Sequence, residues 1–371
     1  DSIAEGGVDV YKNDHVVIAV GGDGMVHEAV NGVMRRRDAL LASGVDAGSI
    51  ESMLPLVATI PAGSGCALAK CFNILEPAEA ARAIVHLNAT FVDLLHVAFL
   101  PCMHHFVPTD EDIETAKRRK QVVPLERDEI TKHDGPPRYA FLNCAFAITN
   151  EIDKGSEKWR WMGNARFTVK AMQLLAKGVP LYRCRVRYIP WKDAVTGEGI
   201  AKIYDENKID TKSYPKCTAR DSCAQCLQNR RSSESTTGTQ LQQEKTSPSE
   251  SEWLELPEDR FALLMLMNIV HAARDMAIAP LAHVGDGAID IVYTGKRPEE
   301  GNDLARSDFV KVFLNLESGE HIEVPGIRYV KAREVEVLPQ DGLVMADGEL
   351  LPISGVRVKT VPKAVRIVRS L

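Results

Sequence analysis

Over roughly the first hundred residues, short continuous apolar runs alternate with longer stretches of helical periodicity. Residues 14–20 (DHVVIAV) and 54–60 (LPLVATI) are β-branched and too short for stable helices, the pattern of strands buried on both faces. Each runs into a glycine cluster and then a helical segment. GGDG is followed by a helix from Met25 to about Arg36, and PAGSG by one through Ala69. A helix over about Pro77–Leu87 and a strand over Phe91–Val97 continue the series. Strands alternating with helices predict a doubly wound parallel α/β sheet, whose ligands lie beyond the carboxyl ends of its strands. Both glycine clusters fall at such ends.

The texture changes near residue 138. Arg138–Ile148, Leu181–Pro190, Phe261–Val270, Ala288–Tyr293 and several segments from Ile327 onward read as strands, with clear helices only at Phe167–Leu175 and Asp303–Leu314. The second half is therefore expected to be mainly antiparallel, a β-sandwich or flattened barrel. The expected division is an α/β domain at residues 1–135, lacking its first strand, and a β-rich domain at 136–371. The final strand is free to return to the first domain. Residues 206–254, polar and rich in Ser, Thr and Gln, read as a disordered insertion. The polar stretch 102–135, with KRRK at 117–120, reads as a solvated loop.

Composition narrows the classes. The chain has 371 residues, with 45 basic and 51 acidic side chains and a net charge of −6. That balance excludes a nucleic-acid binder dominated by phosphate neutralisation. No apolar run approaches the roughly 20 residues that span a bilayer, and no signal peptide is read at the start. The chain begins at Asp1 rather than Met, so a longer N-terminal part is expected to precede it. The eight scattered cysteines read as free thiols. Cys223 and Cys226 form a C-x-x-C with Cys217 nearby, but no fourth zinc ligand is evident.

Three motifs carry candidate chemistry. In Gly21-Gly22-Asp23-Gly24, followed by Glu28, Asn31 and Gly32, the glycines let a phosphate approach the backbone, and the next helix points its N–H groups at the loop. The bland alternative is a strand–turn–helix with Asp23 as a cap. Pro61-Ala62-Gly63-Ser64-Gly65 is a second such loop about 40 residues on, and the pair could hold one nucleotide. Asp347-Gly348-Glu349 places two carboxylates around a turn, suited to Mg²⁺ or simply to a hairpin.

GGDGMVHEAVNG resembles the signature of the diacylglycerol kinase catalytic superfamily, which includes diacylglycerol, ceramide and sphingosine kinases. PAGSGCALA and the block Ile152–Phe167 (IDKGSEKWRWMGNARF) resemble the sphingosine kinase branch. Ala279-Pro280 with Asp286-Gly287 and Asp290, and the terminal Asp347-Gly348-Glu349, are similar to further superfamily segments. GGDG also occurs in NAD kinases, but the Ser-Glu-Lys-Trp-Arg block argues against that class.

The resemblance implies an ATP-dependent lipid kinase that phosphorylates the primary hydroxyl of a sphingoid base, converting sphingosine to sphingosine 1-phosphate. Diacylglycerol kinase, ceramide kinase and an inactive lipid-binding homologue are the alternatives. Asp23 would be the general base. Gly21, Gly22, Gly24, Glu28, Gly63, Ser64 and Gly65 would form the nucleotide cleft. Arg160 and Arg166 would reach the phosphates, Asp347, Gly348 and Glu349 would close the ATP side, and Asp347 and Glu349 would hold Mg²⁺. Asp153 would recognise the ammonium of the lipid. Asp286 and Asp290 read as a turn or structural ion site rather than as catalytic. The implied location is cytoplasmic with transient membrane contact, where the stretch Phe167–Leu181 is one candidate surface and a homodimer is admitted. Cys66 stands where the family has Asn, which puts the geometry of that loop in question. The earlier strand and its glycine-rich loop are absent from the sequence in hand.

Overall fold

The backbone of a computed structural model describes residues 15–63, 65–100, 138–163, 165–191, 249–301, 305–351 and 355–370. The α/β part contains β1 (Val16–Gly21), α1 (Asp23–Ala42), α2 (Ala47–Met53), β2 (Leu56–Pro61), α3 (Ala67–Cys71), α4 (Pro77–His86) and β3 (Ala89–Phe99). Then follow β4 (Arg138–Ala140), β5 (Asn143–Ala147), α5 (Ile148–Ser156), α6 (Ala165–Leu175), β6 (Tyr182–Pro190), β7 (Leu254–Glu255), β8 (Arg260–Met267) and β9 (Ile289–Lys296). The chain closes with α7 (Arg306–Leu314), β10 (Arg328–Pro339), β11 (Val344–Ala346), β12 (Glu349–Leu350) and β13 (Val356–Val368). This is the expected α/β unit joined to a mainly antiparallel, sandwich-like β unit.

Among the described residues, the two units share one hydrogen-bonded network of 13 strands. β1 and β2 are parallel, from Val16 beside Leu56 to Gly21 beside Pro61, so both strands end at the same level and deliver their glycine loops side by side. β13 joins the halves. Its early residues lie antiparallel to β10 and its late residue Ile367 pairs parallel with Val57 of β2, while β3 runs antiparallel along most of its length. The strand changes direction at an irregularity between Val361 and Val365, where Lys363 has a φ of 51°. Asp93 of β3 secures that bend, accepting the backbone N–H of Lys363 and of Gly287, each at 2.7 Å.

Local sequence explains the elements that set the site. In α1, Val26, Val30, Val33, Met34 and Leu40 recur at helical spacing and are buried, whereas the triple-arginine stretch 35–37 stays outside the core. The helix stops at Ser43-Gly44, where Gly44 takes a φ of 84° and the last carbonyls receive the N–H groups of Gly44 and Val45. α4 starts with Pro77 and a reciprocal Glu76/Glu79 cap. Burying each Val or Leu of this core contributes about 1.5–3 kcal/mol relative to leaving it exposed.

Several expectations are corrected. Arg138–Ile148 is not one strand: it breaks at Phe141–Leu142, whose N–H groups turn to the Asp347 carboxylate. Ile148 begins a helix, after Ala147 adopts a φ of 79°. α2 lacks a long apolar period and is visible in the sequence only as an Asp46 cap, which accepts the N–H groups of Gly48 and Ser49. The expected insertion at 206–254 ends earlier, because residues 249–255 form a short 3₁₀ turn and β7. Trp253 there lies between the guanidiniums of Arg187 and Arg357, at 5.2 and 5.4 Å. Residues 102–135, the C-x-x-C and the rest of the insertion lie outside the described residues. Among the described residues, no helix is long and apolar enough to cross a membrane.

Asp286 and Asp290 do form an ion site, and its cation is a lysine. Lys331 is fully buried, with Nζ 3.0 Å from Asp286 and 2.8 Å from Asp290. Tyr329 donates a further hydrogen bond to Asp290. Removing one partner strands the others in a low dielectric, so Lys331→Met is expected to cost about 3–5 kcal/mol. Adding Asp286→Asn and Asp290→Asn should restore most of that loss. Guanidinium unfolding of the three proteins checks both statements.

Candidate active site

The two glycine loops touch. The N–H of Ala62 donates to the carbonyl of Gly21 at 3.0 Å. A Cβ on Gly63 would overlap the Gly22 backbone, lying 2.7 Å from its nitrogen, so a side chain at residue 63 would force the loops apart. Asp23 sits at their junction as the first residue of α1. Its carboxylate accepts the N–H of Ala67 at 2.9 Å and, at longer range, of Leu68 at 3.4 Å. A Cβ on Gly65 would stand 2.9 Å from Asp23 Oδ2. Burial raises the Asp23 pKa above the ordinary carboxylate value; the Ala67 and Leu68 N–H groups pull it back, and the nearby negative charge of Asp347 adds to the rise.

Cys66 caps the start of α3 in the left-handed region, with a φ of 46°. That conformation favours Gly or Asn over Cys. The thiol is buried and donates to the carbonyl of Gly63 at 3.2 Å, so it tethers the second loop. Burial pushes the thiol pKa up.

One turn further along α1, His27 faces the β domain. Its Nδ1 lies 2.9 Å from Asp347 Oδ2. The same carboxylate accepts the N–H groups of Phe141 at 2.9 Å, Leu142 at 2.9 Å and Asn143 at 3.1 Å. Asn31, another turn on, pairs with both backbone polar groups of one residue, accepting from the N–H of Tyr139 at 3.0 Å and donating to its carbonyl at 2.8 Å. Asp23, His27 and Asn31 thus share one face of α1, the first over the glycine loops and the others bolted to β4, β5 and the β11–β12 turn. For His27, burial opposes the charged form, but the hydrogen bond and charge of Asp347 outweigh it and hold the imidazole above its usual value.

The expected metal role does not fit Asp347. Each of its oxygens already receives two N–H donors, and its side chain is fully buried. Among the described residues no group of three or more His, Cys, Asp and Glu side chains could hold a metal ion. Gly348 takes a φ of 83° in the tight turn, and Gly348 and Glu349 are exposed beyond it.

The remaining described sequence-derived residues fall into two groups, on α1 and beside the Gly348 turn. Gly24 and Glu28 are exposed on the first turns of α1. Asp153 of α5 lies beside the turn at Gly348, where an added Cβ would stand 3.9 Å from Asp153 Oδ2. Arg166 of α6 pairs with Asp153 at 3.6 Å, and its Nη1 is buried with no hydrogen-bond partner. Arg160 lies in the 3₁₀ segment Glu157–Met162, but its side chain and the whole of Ser64 are outside the described residues. Sequence reasoning gave no role to His27; its i,i+4 spacing from both Asp23 and Asn31 was the available signal. Nothing in the sequence marked Arg274, whose N–H donates to the carbonyl of Gly65 at 2.8 Å.

The site thus consists of paired glycine loops at the ends of parallel strands, a carboxylate between them, and a β unit locked against the same helix. Residues 7–97 match the diacylglycerol kinase catalytic domain, and residues 256–369 match the YegS C-terminal NAD kinase beta sandwich-like domain. These matches, with the relatives that follow, support a lipid kinase. The chain is 24% identical to Sphingosine kinase 1 of Mus musculus over 346 residues, covering 92% of this chain and 72% of the mouse protein. It is likewise 24% identical to Sphingosine kinase 1 of Homo sapiens over 352 residues, 93% of this chain and 73% of that one. A solved diacylglycerol kinase from Bacillus anthracis str. Sterne is 12% identical, with a TM-score of 0.46 over 96% of this chain and 76% of its own.

Asp347→Asn turns one acceptor oxygen into a donor against N–H groups, and is expected to destabilise the fold by about 3 kcal/mol. His27 has a raised folded pKa, so its contribution is complete below the unfolded value near 6.5 and is lost as pH rises through the folded one. Stability should therefore fall between neutral and alkaline pH. His27→Gln should flatten that part of the profile in urea melts recorded across pH.

Proposed function

We propose that the protein transfers the γ-phosphoryl group of ATP to the primary hydroxyl of a sphingoid base. The observation that carries this reading is the contact of the two glycine loops with Asp23 at their junction. A triphosphate lying on these loops meets backbone rather than side chains, and the attacking hydroxyl would approach beside Asp23. Phosphoryl transfer needs alignment and charge stabilisation more than covalent chemistry. Asp23 orients the hydroxyl and takes its proton as the new P–O bond forms, and its raised pKa makes it a stronger base than a solvated Asp. Arg166 supplies positive charge, and its unpartnered Nη1 is consistent with an anion completing the site. Arg160 serves the phosphates in the same reading, as do the backbones of Gly63, Ser64 and Gly65.

Asp153 is the residue placed to choose the lipid. A half-exposed carboxylate beside the Gly348 turn suits an ammonium head group. One observation favours a second reading: Arg166 already neutralises Asp153, which would suit the neutral head group of a diacylglycerol or a ceramide.

The lipid would be reached from a membrane surface, with the enzyme cytoplasmic and peripherally attached. Support comes from α6, which buries Ala171, Leu174 and Leu175 on one side and exposes Met172 and Val169 on the other. Trp161 is 82% exposed just before it, and Lys158, Lys170 and Lys177 lie alongside. Apolar and aromatic tips ringed by lysines match an anionic membrane interface.

Radiolabelled ATP offered with sphingosine, ceramide and diacylglycerol in parallel should label sphingosine by far the most; preferential labelling of diacylglycerol would establish the second reading instead. Asp23→Asn should lower kcat by about 10²–10⁴-fold. The acid limb of wild-type kcat/KM should lie above the ordinary Asp value of about 3.9. Asp153→Ala should raise the lipid KM about tenfold while the ATP KM changes little, a split of about 1.4 kcal/mol at one subsite.

A further inference from the structure

We propose that Arg274 is a nucleotide-binding residue, placing its guanidinium on the triphosphate from the C-terminal domain. The proposal rests on the ATP-cleft reading above and adds a residue that none of the sequence motifs contains.

Arg274 lies in the long connection between β8 and β9. That connection is fastened to the second glycine loop and its helix at two points. The Arg274 N–H donates to the Gly65 carbonyl at 2.8 Å, and the His271 imidazole lies 3.3 Å from the Cys71 thiol at the end of α3. Gly65 in turn borders the Asp23 carboxylate. The backbone of Arg274 is thus one residue removed from the proposed site of phosphoryl transfer, a gap that an arginine side chain spans. Its charge is felt at the buried Cys66 thiol, where it counteracts burial and the negative charge of Asp23. The guanidinium therefore lies within electrostatic range of that loop.

Among the described residues the side chain has no other partner. Arg274 is exposed, and among the described residues its guanidinium makes no ion pair or side-chain hydrogen bond. Arg166 shares its charge with Asp153, and Arg357 pairs with Glu334 and Glu336. Charge balance supplies the need. Asp23 lies under the influence of Asp347, and His27 under that of Asp347, Glu28 and Glu349, so four carboxylates surround this end of α1. A triphosphate entering such a field is repelled unless cations accompany it. Arginine suits the task because its planar fork donates two parallel hydrogen bonds to phosphate oxygens.

The test is equilibrium titration of the wild-type chain, Arg274→Ala, Arg274→Gln and Arg274→Lys with a fluorescent ATP analogue, without lipid, alongside KM and kcat measured with it. The structural bond to Gly65 comes from the backbone N–H, so all three variants should keep the wild-type thermal midpoint. Arg274→Ala and Arg274→Gln should bind nucleotide about tenfold more weakly, with Arg274→Lys in between and the lipid KM unchanged. Wild-type affinity in both neutral variants would overturn the role of Arg274 and leave the cleft reading standing. A wild-type chain that binds no nucleotide would overturn both.

Discussion

A single buried carboxylate holds this molecule in its working shape. Asp347 collects the N–H groups of three successive residues, Phe141 to Asn143, together with the His27 imidazole. A buried charge left without partners would cost several kcal/mol, so these donors and the carboxylate require one another. The consequence runs in both directions. The strand that would have continued from β4 into β5 is broken to aim its N–H groups inward, and α1 is pinned so that its first residue cannot drift from the glycine loops. Asn31 repeats the connection one turn later, and Asn268 ties the carbonyls of Asp93 and Phe141 from the opposite side. The Asp23 carboxylate is therefore positioned by the β domain although it belongs to the α/β domain.

The site so formed is electrostatically unbalanced in a useful way. Burial, with a smaller addition from the Asp347 charge, raises the Asp23 pKa, and the carboxylates around the N-terminal end of α1 would repel a polyphosphate without help. In the proposed reading the balancing cations come from the other domain, on α6 and on the connection after β8, and each serves the nucleotide only while the seam holds its element against the loops. Close packing at Gly22 and Gly63 removes the freedom to compensate by loop movement.

Away from the site the same principle of satisfied burial recurs. Lys331 neutralises Asp286 and Asp290, and Asp93 anchors the bend of β13. These groups lie where β3, β9, β10 and β13 converge, so the polar network marks the line along which the two units become one sheet. Burial lifts the Asp93 pKa to about 7, with the neighbouring Asp286 charge adding to the rise and the Lys363 and Gly287 N–H groups opposing it. The junction is specified by hydrogen bonds as much as by apolar packing.

What the sequence determined alone was whatever depends on neighbours along the chain. Continuous β-branched runs, helical periodicity and the two glycine clusters made the α/β half and both loops legible, because strand burial and tight turns are set within a few residues. The motifs also singled out Asp23 and Asp153 as the residues to propose. Only the tertiary structure decided what Asp347 does: in the sequence, Asp-Gly-Glu is equally a hairpin or a metal site, and its donors lie more than 200 residues away, with His27 at a separation of 320. The break at Phe141, the passage of β13 through both domains and the approach of Arg274 to Gly65 were hidden for the same reason. Each is a hydrogen-bond requirement met across the fold, and no local pattern records where a distant donor will find its acceptor.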